Sequence, residues 1–333
     1  MLKVFLKSVV ATLVFACAGR VAAAGDLGQA VMVDPGLAVA EIAMRDERPV
    51  VRDRRGRWHF LHVSAQGITT SPVVSTVVKK RPDGMLPDGM LATGTSDIVR
   101  AWLAEPTRSY RHGILGDKIE ARRLVIEARN KKQQSYRLGN ASVFEDLVPR
   151  LADLDGDGTD EIIVVRAYLD RGAALVVSGL RDGKLVPVAE TPAIGRPHRW
   201  LNPAGIADYD GDGNLEVAIV VTPHIGGTLQ LWRLAGGKLK KTGELAGFSN
   251  HIIGSRILGL SATGDFDGDG IADLALPSAD RGTLRLVSFA GRTWATRALP
   301  LRSRISGGVV FTGTKIIAAL DNGQLALVSL SGE

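Results

Sequence analysis

The sequence predicts an all-β fold that is assembled from repeated small sheets. Its 39 glycines and 14 prolines, set among short β-branched and leucine-rich runs, are typical of strands joined by many tight turns. An acidic segment occurs three times at nearly constant spacing, and strand-like runs and turns alternate in the same way after each copy. A hydrophobic content of 45% with 23% charged residues excludes a disordered chain and a multi-pass membrane protein.

The acidic segment is the most regular feature of the chain. It occupies residues 151–161, 206–216 and 263–273, and the first aspartates of the copies, Asp153, Asp208 and Asp265, lie 55 and 57 residues apart. This spacing is slightly longer than the roughly 40 to 50 residues of a four-stranded propeller blade. The repeat therefore predicts a β-propeller whose blades contain strands A to D, with the acidic loop between strands A and B.

The flanking sequence sets the number of blades. Residues 89–138 fit the same template without the acids, and residues 308–330 supply three further strands. Residues 57–63 are the predicted fourth strand of that last sheet, which would close the ring. The prediction is about five blades, with six as the alternative. It divides the chain into residues 1–24, residues 25–87 with the ring-closing strand, and a propeller over 88–333 whose best repeats lie in 147–276.

The acidic loops have the composition of a calcium site. Carboxylates at positions 1, 3, 5 and 9, with a carbonyl at position 7, can surround a hard cation with oxygen. The loops contain no histidine or cysteine for a transition metal, and magnesium demands stricter octahedral geometry. An EF-hand would need a glutamate at position 12, where this chain has Val164, Ile219 and Leu276. Turn formation alone is the competing interpretation, but four acids in nine residues repel one another without a cation.

The three loops and the strand-like runs after them resemble FG-GAP (VCBS) repeats, the blades of the integrin alpha-subunit type of β-propeller. The resemblance implies about three calcium ions, each bound between strands A and B and each structural rather than catalytic. The implied ligands are Asp153, Asp155, Asp157, the Thr159 carbonyl and Glu161 in loop 1; Asp208, Asp210, Asp212, the Asn214 carbonyl and Glu216 in loop 2; and Asp265, Asp267, Asp269, the Ile271 carbonyl and Asp273 in loop 3.

The opposite side of the predicted blades is rich in arginine and histidine. Alternation of the strands places the B–C and D–A loops there, and these loops contain four of the six histidines. Arginine offers bidentate hydrogen bonds to carboxylate, phosphate or acidic glycan groups, and histidine adds a titratable donor. The candidate ligand residues are His112, Arg171, His198, Arg199, Trp200, His224, His251 and Arg281. Ordinary solvated loop side chains, or a metal site formed by His198, His224 and His251, are the competing interpretations.

These features predict a binding module for a protein, a peptide or an anionic glycan. The alternative is an enzyme on the same scaffold, a lyase or hydrolase with His112, His198 or His251 as general base and an arginine that neutralises a substrate carboxylate. The chain has no Gly-x-Ser-x-Gly, His-Glu-x-x-His or phosphate-cradling motif, so the binding module is favoured. It also has no basic run with interleaved aromatics, so a nucleic-acid partner is not expected.

Residues 1–24 have the pattern of a secretory signal peptide. A basic start precedes an apolar run over 8–18, and three alanines at 22–24 offer a peptidase site. Cleavage removes three basic residues from a chain of formal net charge +6, and it removes Cys17, the only cysteine. The bulky Phe15 disfavours acylation of Cys17 as a lipoprotein. The predicted location is secreted or periplasmic, without an integral membrane span, so stability must come from packing, ring closure or bound metal.

Overall fold

The computed structural model describes residues 28–64, 67–74 and 80–330. Within them the chain forms twenty-five β-strands and one 3₁₀ turn, Ala290–Arg292. The all-β prediction is therefore confirmed. The predicted signal peptide and Cys17 lie outside the described residues, so the structure does not address them.

The strands form six four-stranded units, which we number 1 to 6 along the chain. The first strand, β1 (Val31–Val33), belongs to unit 6. Unit 1 contains β2 (Val39–Arg45), β3 (Arg48–Asp53), β4 (Trp58–Ser64) and β5 (Gly67–Pro72); unit 2 contains β6 (Ala92–Thr93), β7 (Ile98–Thr107), β8 (Glu120–Ala128) and β9 (Gln133–Arg137). A linking strand, β10 (Ser142–Phe144), precedes unit 3, which contains β11 (Arg150–Ala152), β12 (Glu161–Tyr168), β13 (Gly172–Arg181) and β14 (Lys184–Glu190). Unit 4 contains β15 (Leu201–Ala207), β16 (Glu216–Val221), β17 (Thr228–Ala235) and β18 (Lys238–Ala246); unit 5 contains β19 (Ala262–Gly264), β20 (Asp273–Pro277), β21 (Thr283–Ser288) and β22 (Ala295–Pro300). Unit 6 contains β23 (Ile305–Phe311), β24 (Lys315–Leu320) and β25 (Leu325–Ser329), together with β1.

All strand pairings are antiparallel, as expected of strands joined by short turns. Units 1, 4, 5 and 6 are separate four-stranded sheets. Units 2 and 3 share one nine-stranded sheet because β10 pairs with β8 at Phe144 and with β12 at Ser142. Strand β12 is apolar over four consecutive residues, Ile162 to Val165, and all four are fully buried, because neighbouring layers cover both faces of the sheet.

The strand that completes the last unit is not the one that the sequence predicted. Residues 57–63 lie largely in β4, which pairs with β3 and β5. The reason is local, because the Asp53 carboxylate accepts the backbone N–H groups of Arg55 and Arg57, both at 2.9 Å, and so fixes a tight turn before β4. The fourth strand of unit 6 is β1, with Val31 opposite Leu327. Residues 39–72 thus form a unit of their own, separate from the unit that β1 completes.

The first strands of units 1, 3, 4, 5 and 6, and the segment before the first strand of unit 2, lie around a common cavity of about 970 Å³. Ile42 of β2, Gly205 of β15, Thr263 of β19 and Val310 of β23 are among its lining residues. This arrangement, with the first strand of each sheet innermost, is typical of a propeller. It places the loops between first and second strands at one end of the units and the loops between second and third strands at the other.

Candidate metal loops and the histidine–arginine face

The first aspartate of each acidic loop accepts hydrogen bonds from backbone N–H groups of that loop. Asp153 Oδ1 accepts from Gly156 N at 2.8 Å and Oδ2 accepts from Gly158 N at 2.9 Å. The equivalent distances are 2.8 and 2.7 Å at Asp208 and 2.7 and 3.0 Å at Asp265. Gly158 has a φ of +86°, which only glycine adopts without strain. Each loop therefore curls around its first carboxylate.

The ninth position of each loop is a buried acid at the start of the second strand. Glu161, Glu216 and Asp273 are 0%, 0% and 4% exposed. Each accepts one hydrogen bond from a backbone N–H within its own loop, at 3.0, 3.1 and 2.9 Å respectively. Burial raises the pKa of Glu161 and of Asp273 to about 7, and it also raises the pKa of Glu216. Glu161 and Asp273 are therefore poised to accept either a cation or a proton.

The carboxylates of each loop converge closely enough to surround one ion. One oxygen from each member of a trio lies within 4.8 Å of the others, and the trios are Asp153, Asp155 and Glu161; Asp208, Asp210 and Glu216; and Asp265, Asp267 and Asp269. Asp273 is outside the third trio, but its Oδ1 is buried without a hydrogen-bond partner in the described residues. Asp267 and Asp269 are close enough to raise the pKa of Asp273, after the larger effect of burial. A buried carboxylate oxygen without a partner near two further acids fits a hard cation.

The backbone N–H of the seventh residue bonds to the carboxylate of the fifth residue in each loop. Thr159 donates its backbone N–H to Asp157 at 2.8 Å, and Asn214 and Ile271 donate theirs to Asp212 and Asp269 at 3.1 and 2.8 Å. These hydrogen bonds fix the turn at the seventh position, where the resemblance to FG-GAP repeats implies that a backbone carbonyl would bind calcium.

Arginines contact two of the three loops. Arg181 lies 3.7 Å from Asp155 and 3.4 Å from Glu161 in loop 1. Arg233 and Arg292 both reach loop 2. Within the residues that the structure describes, no arginine or lysine forms a salt bridge with a carboxylate of loop 3. These arginines were not predicted from the acidic motif, although strand pairing alone places Arg233 opposite Glu216.

At the other end of the units, His112 and His198 stack with ring centroids 5.2 Å apart. Tyr110 packs against both rings, and its hydroxyl accepts the backbone N–H of His198 at 2.9 Å. His112 Nδ1 lies 2.8 Å from Oε1 of Glu145, a residue that is only 1% exposed. Burial, together with the nearby Asp146, raises the pKa of Glu145 well above its usual range. Glu145 was not predicted from the sequence, because it belongs to none of the acidic loops or arginine- and histidine-rich loops.

Two of the predicted ligand residues are buried and cannot contact a ligand, which corrects the sequence analysis. Trp200 is 2% exposed and donates its indole N–H to the Glu145 carbonyl at 3.0 Å. His251 is fully buried, and its ring lies 4.7 Å from the Trp200 ring. These side chains pack the loops before β15 and β19 against the sheets, so they stabilise this surface from the protein interior.

A hydrogen-bonded pair of histidines has fixed tautomers. His251 Nε2 lies 3.0 Å from the Ser255 carbonyl, which only accepts, so Nε2 carries the proton. His251 Nδ1 then accepts from His224 Nε2 at 3.0 Å. Burial lowers the pKa of His224 to about 4 and that of His251 to about 3. Both rings are therefore neutral at pH 7, and His224 Nδ1 keeps its lone pair.

Arginines surround these histidines. The positive charge of Arg199 lowers the pKa of His112, after the larger effect of burial, and Arg281 lowers those of His224 and His251 in the same way. Arg281 Nε is buried and has no hydrogen-bond partner in the described residues. Arg171 lies apart, with its guanidinium 3.8 Å from the centroid of the Tyr168 ring. We call His112, His198, His224, Arg199 and Arg281 the histidine–arginine face. The metal-ligand clusters found in the described part of the chain include no histidine.

The central cavity is a second candidate site that the sequence analysis missed. It is lined by apolar side chains and by three arginines. Each of these arginines already has a partner: Arg52 pairs with Glu41 at 2.5 Å, Arg150 with Asp146 at 2.5 Å and Arg256 with Asp88 at 2.9 Å. The cavity therefore offers no unpaired positive charge, in contrast to the face.

The strand order and the central cavity define the protein as an all-β protein of the propeller type. A chain of the crystal structure of BBS1N in complex with ARL6DN, soaked with mercury, has a similar fold. The TM-score is 0.50 at 11% sequence identity, over 92% of this chain and 98% of that chain. Residues 153–219 and 208–276 match the FG-GAP-like repeat family. Residues 153–276 therefore contain FG-GAP-like repeats, and the resemblance inferred from the loops is confirmed for this part of the chain.

A search of curated proteins finds no significant sequence match. In the described residues, no helix has the length and apolar character needed to cross a bilayer.

Proposed function

We propose that the protein is an exported interaction module, that calcium in its acidic loops stabilises the fold, and that the histidine–arginine face binds an anionic partner. FG-GAP repeats on a propeller-type fold support the interaction module. Residues 1–24 support export. The export proposal is tested by mass spectrometry of the protein recovered outside the cytoplasm, with Gly25 expected at its amino terminus. Retention of residues 1–24 would contradict it.

The proposal of calcium follows from the oxygen-only donor set and from the unsatisfied Asp273 Oδ1. A bound calcium ion would supply the positive charge that these carboxylates lack and would tie the first strand of a unit to its second strand. Binding only to the folded chain would stabilise that chain by mass action. The donor set gives no reason to assign a catalytic role to the ion.

The proposal of an anionic partner rests on unpaired positive charge. Arg199 and Arg281 make no salt bridge among the described residues, and the buried Nε of Arg281 lacks an acceptor. A buried donor without a partner is unfavourable by about 1 to 3 kcal/mol, and a carboxylate, sulfate or phosphate group would satisfy it. His198 is exposed beside Arg199 and adds an aromatic ring for contact. A protein, a peptide or an anionic glycan could present such a group.

Calorimetric titration with two anionic probes, heparin and poly-glutamate, tests the proposal, with dextran as the uncharged control. We expect binding of at least one anionic probe and none of dextran. The double substitution R199A/R281A should weaken that binding at least tenfold. The matched control is Lys184→Ala, an exposed cation at the turn between β13 and β14, on the opposite end of unit 3. Equal affinity of the double variant and the parent would overturn the proposal.

One observation favours an enzyme as the second candidate. The buried Glu145 orients His112 through the 2.8 Å contact, which is the arrangement of a general base held by a carboxyl group. His251 is excluded from that role by its complete burial. This candidate predicts that His112→Gln abolishes the release of new chain ends from an acidic glycan while the melting temperature stays the same. Absence of any release by the parent protein would reject it.

A further inference from the structure

The second acidic loop already contains a cation of the protein itself. Arg233, on β17, donates from Nη1 to Asp212 at 2.5 Å, from Nη2 to Asp210 at 2.9 Å and from Nε to Glu216 at 2.8 Å. These acids occupy positions 5, 3 and 9 of the loop, so one guanidinium engages three of the four carboxylates that would ligate calcium. The Arg233 side chain is only 12% exposed.

A second guanidinium reaches the same loop from the neighbouring unit. Arg292, in the 3₁₀ turn of unit 5, donates to Asp210 at 2.9 Å and to Asp212 at 3.1 Å. The backbone N–H of Gly291 in the same turn donates to the Asp210 carbonyl at 3.1 Å. Loop 2 is therefore neutralised and also bound to unit 5 by direct protein contacts.

The other two loops differ at the equivalent strand position. Glu216 faces Arg233 across the β16–β17 pair. In unit 3, extension of the register by one residue beyond Ile162–Ser178 puts Gly179 opposite Glu161, and in unit 5 extension beyond Leu274–Val287 puts Ser288 opposite Asp273. Neither residue carries a charge. Arg233 is thus specific to one repeat, and the fold does not require an arginine at this position.

The three loops can therefore be ranked by the positive charge that contacts them. Loop 1 has the single Arg181, which is 38% exposed and no closer than 3.4 Å to its acids. Loop 2 has two arginines in hydrogen-bond contact, and loop 3 has none among the described residues. Loop 3 also contains the unsatisfied Asp273 Oδ1, whereas Oε1 of Glu216 accepts from Arg233. Calcium affinity depends on the negative charge of its ligands, so it should decrease from loop 3 to loop 1 to loop 2.

We infer that the Arg233 guanidinium takes the place of the ion in loop 2, and that calcium binds only loops 3 and 1. For calcium to enter loop 2, Arg233 would have to leave three carboxylates and remain buried without them, and an unpaired buried charge is strongly unfavourable. The inference rests on the proposed calcium function and specifies which repeats perform it.

Calorimetric titration of calcium into the chelator-treated chain, residues 25–333, tests this inference. We expect two ions per chain. A stoichiometry of zero would overturn the calcium proposal itself, whereas three ions would overturn only the role of Arg233. The substitutions R233S/R292A should create a third site. The matched control is Arg285→Ser, because Arg285 lies on the third strand of unit 5, stacks on Phe248 and contacts no acidic loop.

Single-acid variants keep the test decisive if R233S/R292A fails to fold. Asp267→Asn, in loop 3, should lower the stoichiometry by one ion, as read by native mass spectrometry. Asp210→Asn, at the same position of loop 2, should leave it at two. Loss of an ion from the Asp210 variant would overturn the inference, because it would show that loop 2 holds calcium in the parent protein.

Discussion

The two ends of the units contain buried ionisable groups in opposite electrostatic surroundings. At the acidic end, Glu161 and Asp273 lie among other carboxylates, so an added cation would stabilise their charged form. At the other end, His224 and His251 bond to each other and to a carbonyl, and burial keeps them neutral. The difference indicates that the acidic end should bind metal, whereas protonation of the buried histidines should destabilise the folded chain.

The largest expected effect is the loss of stability when calcium is removed. A ligand at one hundred times its Kd adds about 2.7 kcal/mol per site, so two sites would add about 5 kcal/mol and raise the melting temperature by on the order of 10 °C. Thermal melts of residues 25–333 in excess calcium and in chelator measure this. Magnesium is the control ion, because it fits these loops poorly. Identical melting temperatures in calcium and in chelator would mean that the acids only stabilise the turns.

The next largest effect distinguishes loop 2 from loop 1. Arg233→Ser leaves the buried Glu216 and Asp210 without their partner, and breaking such a pair lowers the free energy of unfolding by about 3 kcal/mol. Arg181→Ser removes a more exposed and more distant cation, so its effect should stay below about 1 kcal/mol. Urea unfolding in chelator compares them. Calcium should restore part of the loss in the Arg233 variant, and equal losses in the two variants would contradict the ranking of the loops.

Most of what the sequence could predict depends on contacts that are close along the chain. The acidic loops and the hairpins after them are formed by residues a few positions apart, and the strand order around them follows directly. Residues 57–63 were assigned to the wrong sheet although the decisive contact, from Asp53 to the N–H groups at 55 and 57, is also local. The pairing of Val31 with Leu327 leaves no signal in either segment, because both are short apolar strands.

The candidate face could be predicted in part. Strand alternation places the loops that contain His112 and His198 at the same end of the units, so their presence on one surface could be predicted from the sequence. Burial was not predictable, since Trp200 is covered through a hydrogen bond to the Glu145 carbonyl, 55 residues away. The same limit applies to Arg292, which reaches Asp210 from the next unit across 82 residues. Arg233 differs, because the pairing of neighbouring strands already places it opposite Glu216.

The third effect is a loss of stability in acid that arises at the histidine end. The folded pKa values of His224 and His251, about 4 and about 3, lie below the value of about 6.5 for an unfolded histidine. As the pH falls below about 6.5, the unfolded chain binds protons first, so each of these two histidines lowers the free energy of unfolding, by on the order of 2 kcal/mol between pH 7 and pH 5. The raised pKa values of Glu161 and Asp273 act with the opposite sign, because at these two groups the folded chain binds protons first as the pH falls below about 7.

Urea unfolding at pH 7 and pH 5 measures this acid effect, in parent and variant. His224→Gln should reduce the loss between the two pH values, because one of the two suppressed protonations is gone. The control is His62→Gln, since His62 is exposed on β4 and bonds only to Ser71 in the described residues. If His62→Gln reduces the pH dependence of the unfolding free energy as strongly as His224→Gln, the acid effect does not arise from the buried histidine pair.

The smallest expected effect is the coupling between the two ends. A second strand of about six residues spans roughly 20 Å, which is more than twice the screening length of about 8 Å at physiological ionic strength. The loops and the histidine–arginine face should therefore bind their ligands independently. Because linkage is reciprocal, the effect of calcium on heparin affinity must equal the effect of heparin on calcium affinity. We expect both ratios to lie within a factor of two.

This independence is measured by titrating heparin into the chain with and without chelator, at a temperature where the chelated chain stays folded. Circular dichroism at that temperature verifies the folded state, so loss of binding by unfolding is not mistaken for coupling. Arg233→Ser, measured in calcium, should also leave heparin affinity within a factor of two. A calcium effect of tenfold or more would mean that metal binding shifts the units relative to one another, and the two ends would then form one allosteric system.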